Sequence, residues 1–213
     1  MPGPAIKICG VTSPAILDAV IAARADHVGF VFFPKSPRHL AVADAAALSA
    51  RAEGRIAKVG LFVDADDATI AEAATAARLD AVQLHGEESP ERAAQLRVRL
   101  GLPVWKAVPV ARAADIQRAA AYAGAVDLVL FDAKTPTGAL PGGMGLAFDW
   151  SLLATWKNRS PWGLAGGLNP GNVAEAVRLT GASLVDTSSG VETAPGVKDA
   201  ALVAEFCRAA RAG

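Results

Sequence analysis

The chain has 213 residues, of which 52% are hydrophobic and 20% charged, with a mean hydropathy of +0.30; it can bury a sizeable core and is not a disordered chain, which could not offset its conformational entropy. The 21 Lys and Arg balance the 21 Asp and Glu, so no cationic excess exists to neutralise nucleic-acid phosphates or an anionic lipid surface. Residues 1–7 carry no basic segment followed by an apolar run, no stretch of membrane-spanning length escapes a charge or a breaker, and Cys9 and Cys207 are too few for a disulfide framework; a cytoplasmic protein without nucleic-acid or membrane partners is expected.

Short runs rich in Val, Ile and Leu alternate with longer Ala-, Arg- and Glu-rich segments of helical period. In chain order the pattern predicts strand 6–9 and helix 14–25, strand 28–33 and helix 43–52, strand 56–63 and helix 67–77, then strand 81–84 and helix 90–100. It continues with strand 104–108 and helix 113–122, strand 128–131 and helix 149–155, strand 162–165 and helix 170–179, and finally strand 184–186 and helix 200–210. Four segments, Ala25-Asp26-His27-Val28, Leu79-Asp80-Ala81-Val82, Val126-Asp127-Leu128-Val129 and Ala182-Ser183-Leu184-Val185, lead through a polar residue into alternate strands. They recur roughly every fifty residues, the length of two βα units. The expected fold is therefore α/β, a single (β/α)8 TIM barrel of eight parallel strands forming one domain over 1–213. An open doubly wound sheet is the rival, but it favours a G-x-G-x-x-G turn after the first strand, and none follows Cys9. The connection 133–148, with Pro136, Gly138, Pro141, Gly142, Gly143 and Gly145, is long and glycine-rich and reads as a lid.

In such a barrel the chemistry lies at the C-terminal strand ends. Leu164-Ala165-Gly166-Gly167-Leu168-Asn169-Pro170 ends the seventh strand in two glycines, with Asn169 as the expected N-cap and Pro170 at the first helical position. With Ser188, Ser189 and Gly190 after the eighth strand, Gly166 and Gly167 make the phosphate cradle expected after strands seven and eight. Cys9 ends the first strand, where an electropositive pocket would give its thiol thiolate character and fit it as base or nucleophile. Asp132 follows an apolar strand, whose desolvation would fit it for acid work. Arg38, in a proline-stiffened loop, suits a bidentate carboxylate clamp, and His85 is read first as a substrate contact. Asp26, Asp80 and Asp127 fall at the opposite, stabilising end, His27 and His39 read as structural or exposed, and Cys207 belongs to the apolar stripe of the last helix. The histidines lack metal-ligand spacing and there is no CxxC, so no metal is expected.

The chain resembles the phosphoribosylanthranilate isomerase family of tryptophan biosynthesis over nearly its whole length. The resemblance is carried by Lys7-Ile8-Cys9-Gly10-Val11-Thr12, Gly29-Phe30-Val31-Phe32-Phe33-Pro34-Lys35-Ser36-Pro37-Arg38, Val59-Gly60-Leu61-Phe62-Val63, Val82-Gln83-Leu84-His85-Gly86, the Leu164 to Pro170 segment and Val185-Asp186-Thr187-Ser188-Ser189-Gly190-Val191-Glu192. It implies a cofactor-free Amadori rearrangement of N-(5-phosphoribosyl)anthranilate, with Asp132 as general acid at the furanose oxygen and Cys9 as general base at C2. It further implies that Arg38 holds the anthranilate carboxylate, that the two late loops hold the phosphate, and that Asp186 contacts sugar hydroxyls or sets the electrostatics. Two departures stand out: Ala165 where the family often has serine, and Met144 within the glycine-rich stretch. An isomerase of the related histidine pathway is disfavoured, because an aspartate is expected where this chain has Cys9. A non-catalytic phosphate-binding barrel is disfavoured because binding alone needs no thiol and carboxyl on opposite walls. The expected partner is a small phosphorylated substrate, and a monomer is expected, with a homodimer as the alternative.

Overall fold

The structure, a computed structural model, describes residues 3–133, 148–156 and 161–213. The expected lid, apart from its two ends, and Met144 lie outside these residues. Eight strands close into a barrel in chain order: β1 (Ala5–Cys9), β2 (His27–Val31), β3 (Ala57–Phe62), β4 (Ala81–Leu84), β5 (Val104–Val110), β6 (Leu128–Ala133), β7 (Trp162–Leu164) and β8 (Leu184–Thr187). Every neighbouring pair is parallel, and β1 closes on β8 with Lys7 beside Asp186. Outward side chains such as Ile6, Ile8, Val28, Phe30 and Phe131 are fully buried against the surrounding helices, which places the main core between barrel and shell. Each such side chain contributes about 1.5–3 kcal/mol on leaving water.

The shell contains α1 (Pro14–Ala22), α2 (Val42–Ala52), α3 (Asp67–Ala76), α4 (Pro90–Leu100), α5 (Ala113–Ala119), α6 (Val173–Thr180) and α7 (Ala200–Ala212). Ser13 and Ser89 cap α1 and α4 by accepting from Ile16 N and Arg92 N, each with a proline following at the first helical position. The segment predicted as helix 149–155 is a 3-10 helix, Trp150–Thr155, and α5 tightens into a 3-10 turn at Ala120–Tyr122.

Two features differ from the sequence expectation. Asn169 is not the N-cap of α6: that position is Asn172, and residues 170–172 form a turn. The Asn172 side chain accepts from Asn169 N at 2.8 Å, Asn169 accepts from Gly171 N at 2.9 Å, and both amides donate to the Gly167 carbonyl. Asparagine side chains that bond locally in this way compete with helix and tie the chain into a turn. After β8 a short antiparallel hairpin, β9 (Glu192–Ala194) and β10 (Val197–Lys198), precedes α7 and sets Glu192 opposite Lys198.

Candidate active site

Inward-facing residues fill the barrel in layers. Val59, Ala81, Trp105, Leu130 and Leu184 plug its middle, and Cys9, Val31 and Leu61 form an apolar layer above them. Above this plug, at the C-terminal strand ends, lies a pocket of about 730 Å³, part of it open to solvent. Val31, Phe33, Pro37, Leu61 and Val63 make one side of it apolar. The rest is polar, and among the predicted site residues Cys9, Arg38, His85, Asp132, Gly166, Gly167, Asp186, Ser188 and Ser189 all line it. Gly190 does not. It packs behind the wall, where a Cβ would overlap the Leu168 carbonyl, so it is the absence of a side chain that lets the two late loops close on each other.

On one wall, β1 sends Lys7 and Cys9 inward, two residues apart on the same face. Lys7 is completely buried; its Nζ donates to Asp186 Oδ2 at 2.8 Å, and its charge favours the ionised form of the Cys9 thiol beside it. Burial works against the Lys7 charge, but Asp186 and, after it, Cys9 together outweigh it and keep the ammonium protonated. The other carboxylate oxygen, Asp186 Oδ1, is buried and has no hydrogen-bond partner among the described residues. Cys9 owes its room to Gly29 on β2, where a Cβ would stand 2.8 Å from its sulfur. The thiolate expected from an electropositive surrounding is not the resting form: burial pushes the thiol pKa up, and the opposing pull of Lys7 does not overcome it.

The facing wall carries a different arrangement. Asp132, at the end of β6, accepts from Ala133 N at 2.8 Å through Oδ1, and its Oδ2 lies 3.1 Å from His85 Nε2. Gln83, fully buried two residues before His85 on β4, places its Nε2 3.1 Å from His85 Nδ1. With the Gln83 amide in this orientation, the imidazole proton falls on Nε2, facing Asp132. His85 thus lines the pocket as predicted, but it also orients the carboxyl. Gly166, with φ at +84°, brings β7 so close to Asp132 and Ala133 that no side chain fits.

Arg38 reaches the rim under restraint. Its Nε and Nη2 form a fork on Glu192, at 2.8 and 2.7 Å, and Lys198 Nζ joins the same carboxylate at 2.9 Å. Burial raises the Glu192 pKa, yet the bonds from Arg38 and Lys198 more than offset this and hold it below the ordinary glutamate range. Lys198 Nζ also donates to the Ser188 carbonyl, and the Ser188 hydroxyl donates to the Cys9 carbonyl at 3.0 Å. That hydroxyl is therefore committed to the protein. The sequence reading missed Lys7, Gln83, Glu192 and Lys198 as members of this site. For Lys7 and Gln83 the available signal was the spacing of two residues from Cys9 and His85 on an inward strand face.

The model of the family described as N-(5'-phosphoribosyl)anthranilate isomerase matches residues 6–209. The chain belongs to this family. The N-(5'-phosphoribosyl)anthranilate isomerases of Paramagnetospirillum magneticum and Rhodospirillum centenum are 53% and 55% identical to it over 209 and 211 residues, covering 98% and 97% of this chain and 97% and 98% of theirs. Among solved structures, the phosphoribosylanthranilate isomerase of Thermotoga maritima superposes with a TM-score of 0.88 at 38% identity, over 97% of this chain and 98% of that one. A further isomerase of the family, solved in complex with reduced 1-(o-carboxyphenylamino)-1-deoxyribulose 5-phosphate, gives a TM-score of 0.85 at 36% identity over 98% of both chains. This family member is accordingly an isomerase built on the (β/α)8 barrel.

Proposed function

We propose that the protein converts N-(5-phosphoribosyl)anthranilate to 1-(2-carboxyphenylamino)-1-deoxyribulose 5-phosphate in tryptophan biosynthesis, with Asp132 as general acid and Cys9 as general base. The observation that carries this assignment is the pairing of a buried thiol and a buried carboxyl on separate walls of one pocket, the carboxyl held against His85. The solved relative bound to a reduced form of that product supports the choice of ligand. Asp132 gives a proton to the furanose ring oxygen; the C1–O bond breaks, and the anthranilate nitrogen's electron pair forms the C1=N iminium. The iminium acidifies the C2–H; Cys9, after giving up its own S–H proton to solvent, takes the C2 proton as the thiolate, and the freed electron pair makes the enolamine. This then gains a proton at C1 and loses one from the C2 hydroxyl, giving the aminoketone. The two reacting positions are distinct, so one group could not serve both without moving.

Arg38 meets the anthranilate carboxylate with its fork set by Glu192, beside an apolar wall that suits the aromatic ring. Gly166, Gly167 and the Ser188–Ser189 backbone take the phosphate, since the Ser188 hydroxyl is engaged by Cys9. Asp186 faces the sugar hydroxyls with its unpartnered oxygen. Anchoring at both ends converts binding energy into orientation of C1 and C2. The deciding measurement is turnover of freshly generated phosphoribosylanthranilate, followed by loss of its fluorescence, in the wild type and in Cys9→Ser. A folded Cys9→Ser protein should lose about 10²–10⁴-fold in kcat; turnover within a few-fold of wild type would remove Cys9 from the reaction.

A further inference from the structure

The chemistry of a thiol base raises a question that the pocket itself answers. A thiolate is the active form, yet Cys9 sits where burial opposes any charge. The charged groups that face it come from four places: Lys7 from β1, Asp186 from β8, Arg38 from the loop after β2, and Lys198 from β10. The β2 residue nearest the sulfur, Gly29, brings no charge. Arg38 and Lys198 are both drawn onto Glu192. Of these cations Lys7 is the one on the thiol's own inward strand face, two residues away, and it pulls hardest against the burial of the thiol.

Lys7 also occupies an unusual position. Its ammonium is completely buried in the barrel interior, over an apolar plug whose Trp105 also packs against His27, and it lies beside one carboxylate and one thiol. A buried ammonium without a matching anion is costly, and so is a buried anion without a cation. One cation therefore serves whichever of the two acids is ionised. We propose that Lys7 is a positioning residue for the reaction, its ammonium turning from Asp186 to become the direct counter-ion of the Cys9 thiolate as that thiolate forms. The orphaned Asp186 Oδ1 fits this role, because it leaves the carboxylate able to take a substrate hydroxyl as a new donor when Lys7 shifts toward sulfur. The inference rests on Cys9 being the base.

The test reads the thiol directly. In a Cys207→Ser background Cys9 is the one remaining thiol, and its far-ultraviolet thiolate absorbance is titrated against pH in the ligand-free protein, with the doubly substituted Cys9→Ser, Cys207→Ser protein as blank. Lys7→Met should raise the Cys9 midpoint by more than about one pH unit, roughly a tenfold loss of thiolate at a fixed pH. Lys7→Arg should remain near the parent, and Asp186→Asn should lower the midpoint by freeing the ammonium for sulfur. An unchanged midpoint in folded Lys7→Met overturns the proposal. If Lys7→Met does not fold, Asp186→Asn decides: a lower midpoint supports the shared-cation arrangement, and an unchanged or higher one overturns it. Turnover by Cys9→Ser separates the two readings. Full activity there removes the base itself, whereas an inactive Cys9→Ser with an unmoved Lys7→Met titration sinks the Lys7 role alone.

Discussion

At the N-terminal end of the barrel Asp26, Asp80 and Asp127 each precede a strand and accept a backbone N–H from the strand before it: Ile6 at 2.8 Å, Lys58 at 2.7 Å and Val104 at 2.8 Å. Their own N–H groups donate to the carbonyls of the same three residues, so each aspartate staples a pair of strands in both directions. Ser183 holds the fourth place of this repeat, with its hydroxyl on the Trp162 carbonyl. At the C-terminal end neither Asp132 nor Asp186 accepts from a neighbouring strand's amide: Asp132 takes Ala133 N and His85, Asp186 takes Lys7, and Asp186 keeps an oxygen without a partner among the described residues. A carboxylate that accepts a strand amide while its own N–H binds back to the same residue fixes register. One held by a movable proton donor or a buried ammonium is positioned yet still able to exchange partners. On the proposed mechanism, the same residue type thus serves stability at one end of the barrel and chemistry at the other.

This contrast can be tested from both ends. The largest effect is expected at Asp132: the Asn variant keeps the shape and the Ala133 contact but has no proton of the required acidity, and should lose about 10²–10⁴-fold in kcat. Its melting temperature should remain near that of the wild type; a large drop in stability would mean that Asp132 resembles the lower aspartates. Glu192 tests the limit of the rule, because it lies near the upper end yet both its oxygens are taken, by Arg38, Lys198 and Gly196 N. Glu192→Gln leaves two buried cations short of a partner and should cost about 3–5 kcal/mol of stability. Because the folded-state pKa of Glu192 is depressed, its contribution is complete above the ordinary glutamate value of 4.5 and is lost as pH falls through the lower folded value. Denaturant melts of both proteins should therefore differ at neutral pH and converge in acid. Arg38→Ala comes next, raising KM by about 10–100-fold with a smaller change in kcat, the signature of a lost charged clamp; an unchanged KM would deny it the anthranilate carboxylate.

The barrel was legible because its strands are short apolar runs between breakers, and all eight predicted strands end within two residues of the observed ones. Pro14 and Pro90 likewise marked helix starts that Ser13 and Ser89 cap. The hairpin of β9 and β10 escaped notice because strands of three and two residues carry no readable period. Lys7 and Gln83 were passed over for a more general reason. In an ordinary half-buried strand the polar positions face solvent, but in a closed barrel the alternate face points into the interior. A lysine between Ile6 and Ile8 is then the inward residue, and its partner comes from β8, 179 residues away, which no local pattern announces. The same distance in sequence separates Cys9 from Ser188, and 154 residues separate Arg38 from Glu192. Residues that end strands could be placed by topology alone, whereas the groups that tune them required the closure of the barrel.

The smallest effect is expected at the lower end. Asp127→Ala removes the acceptor of Val104 N, at the first residue of β5. The Asp127 side chain is about two-fifths exposed, and water can reach part of the vacated position, so the loss should fall near 1–2 kcal/mol rather than the larger cost of a sealed orphan. Asp127→Asn should recover most of it, because the amide oxygen can accept the same N–H. Neither variant should alter kcat or KM at a temperature where both are folded, since the staple lies at the far end of β5 and β6 from the pocket. A change in kcat without a change in stability would join the two ends of β6 functionally and break the division of labour between Asp127 and Asp132.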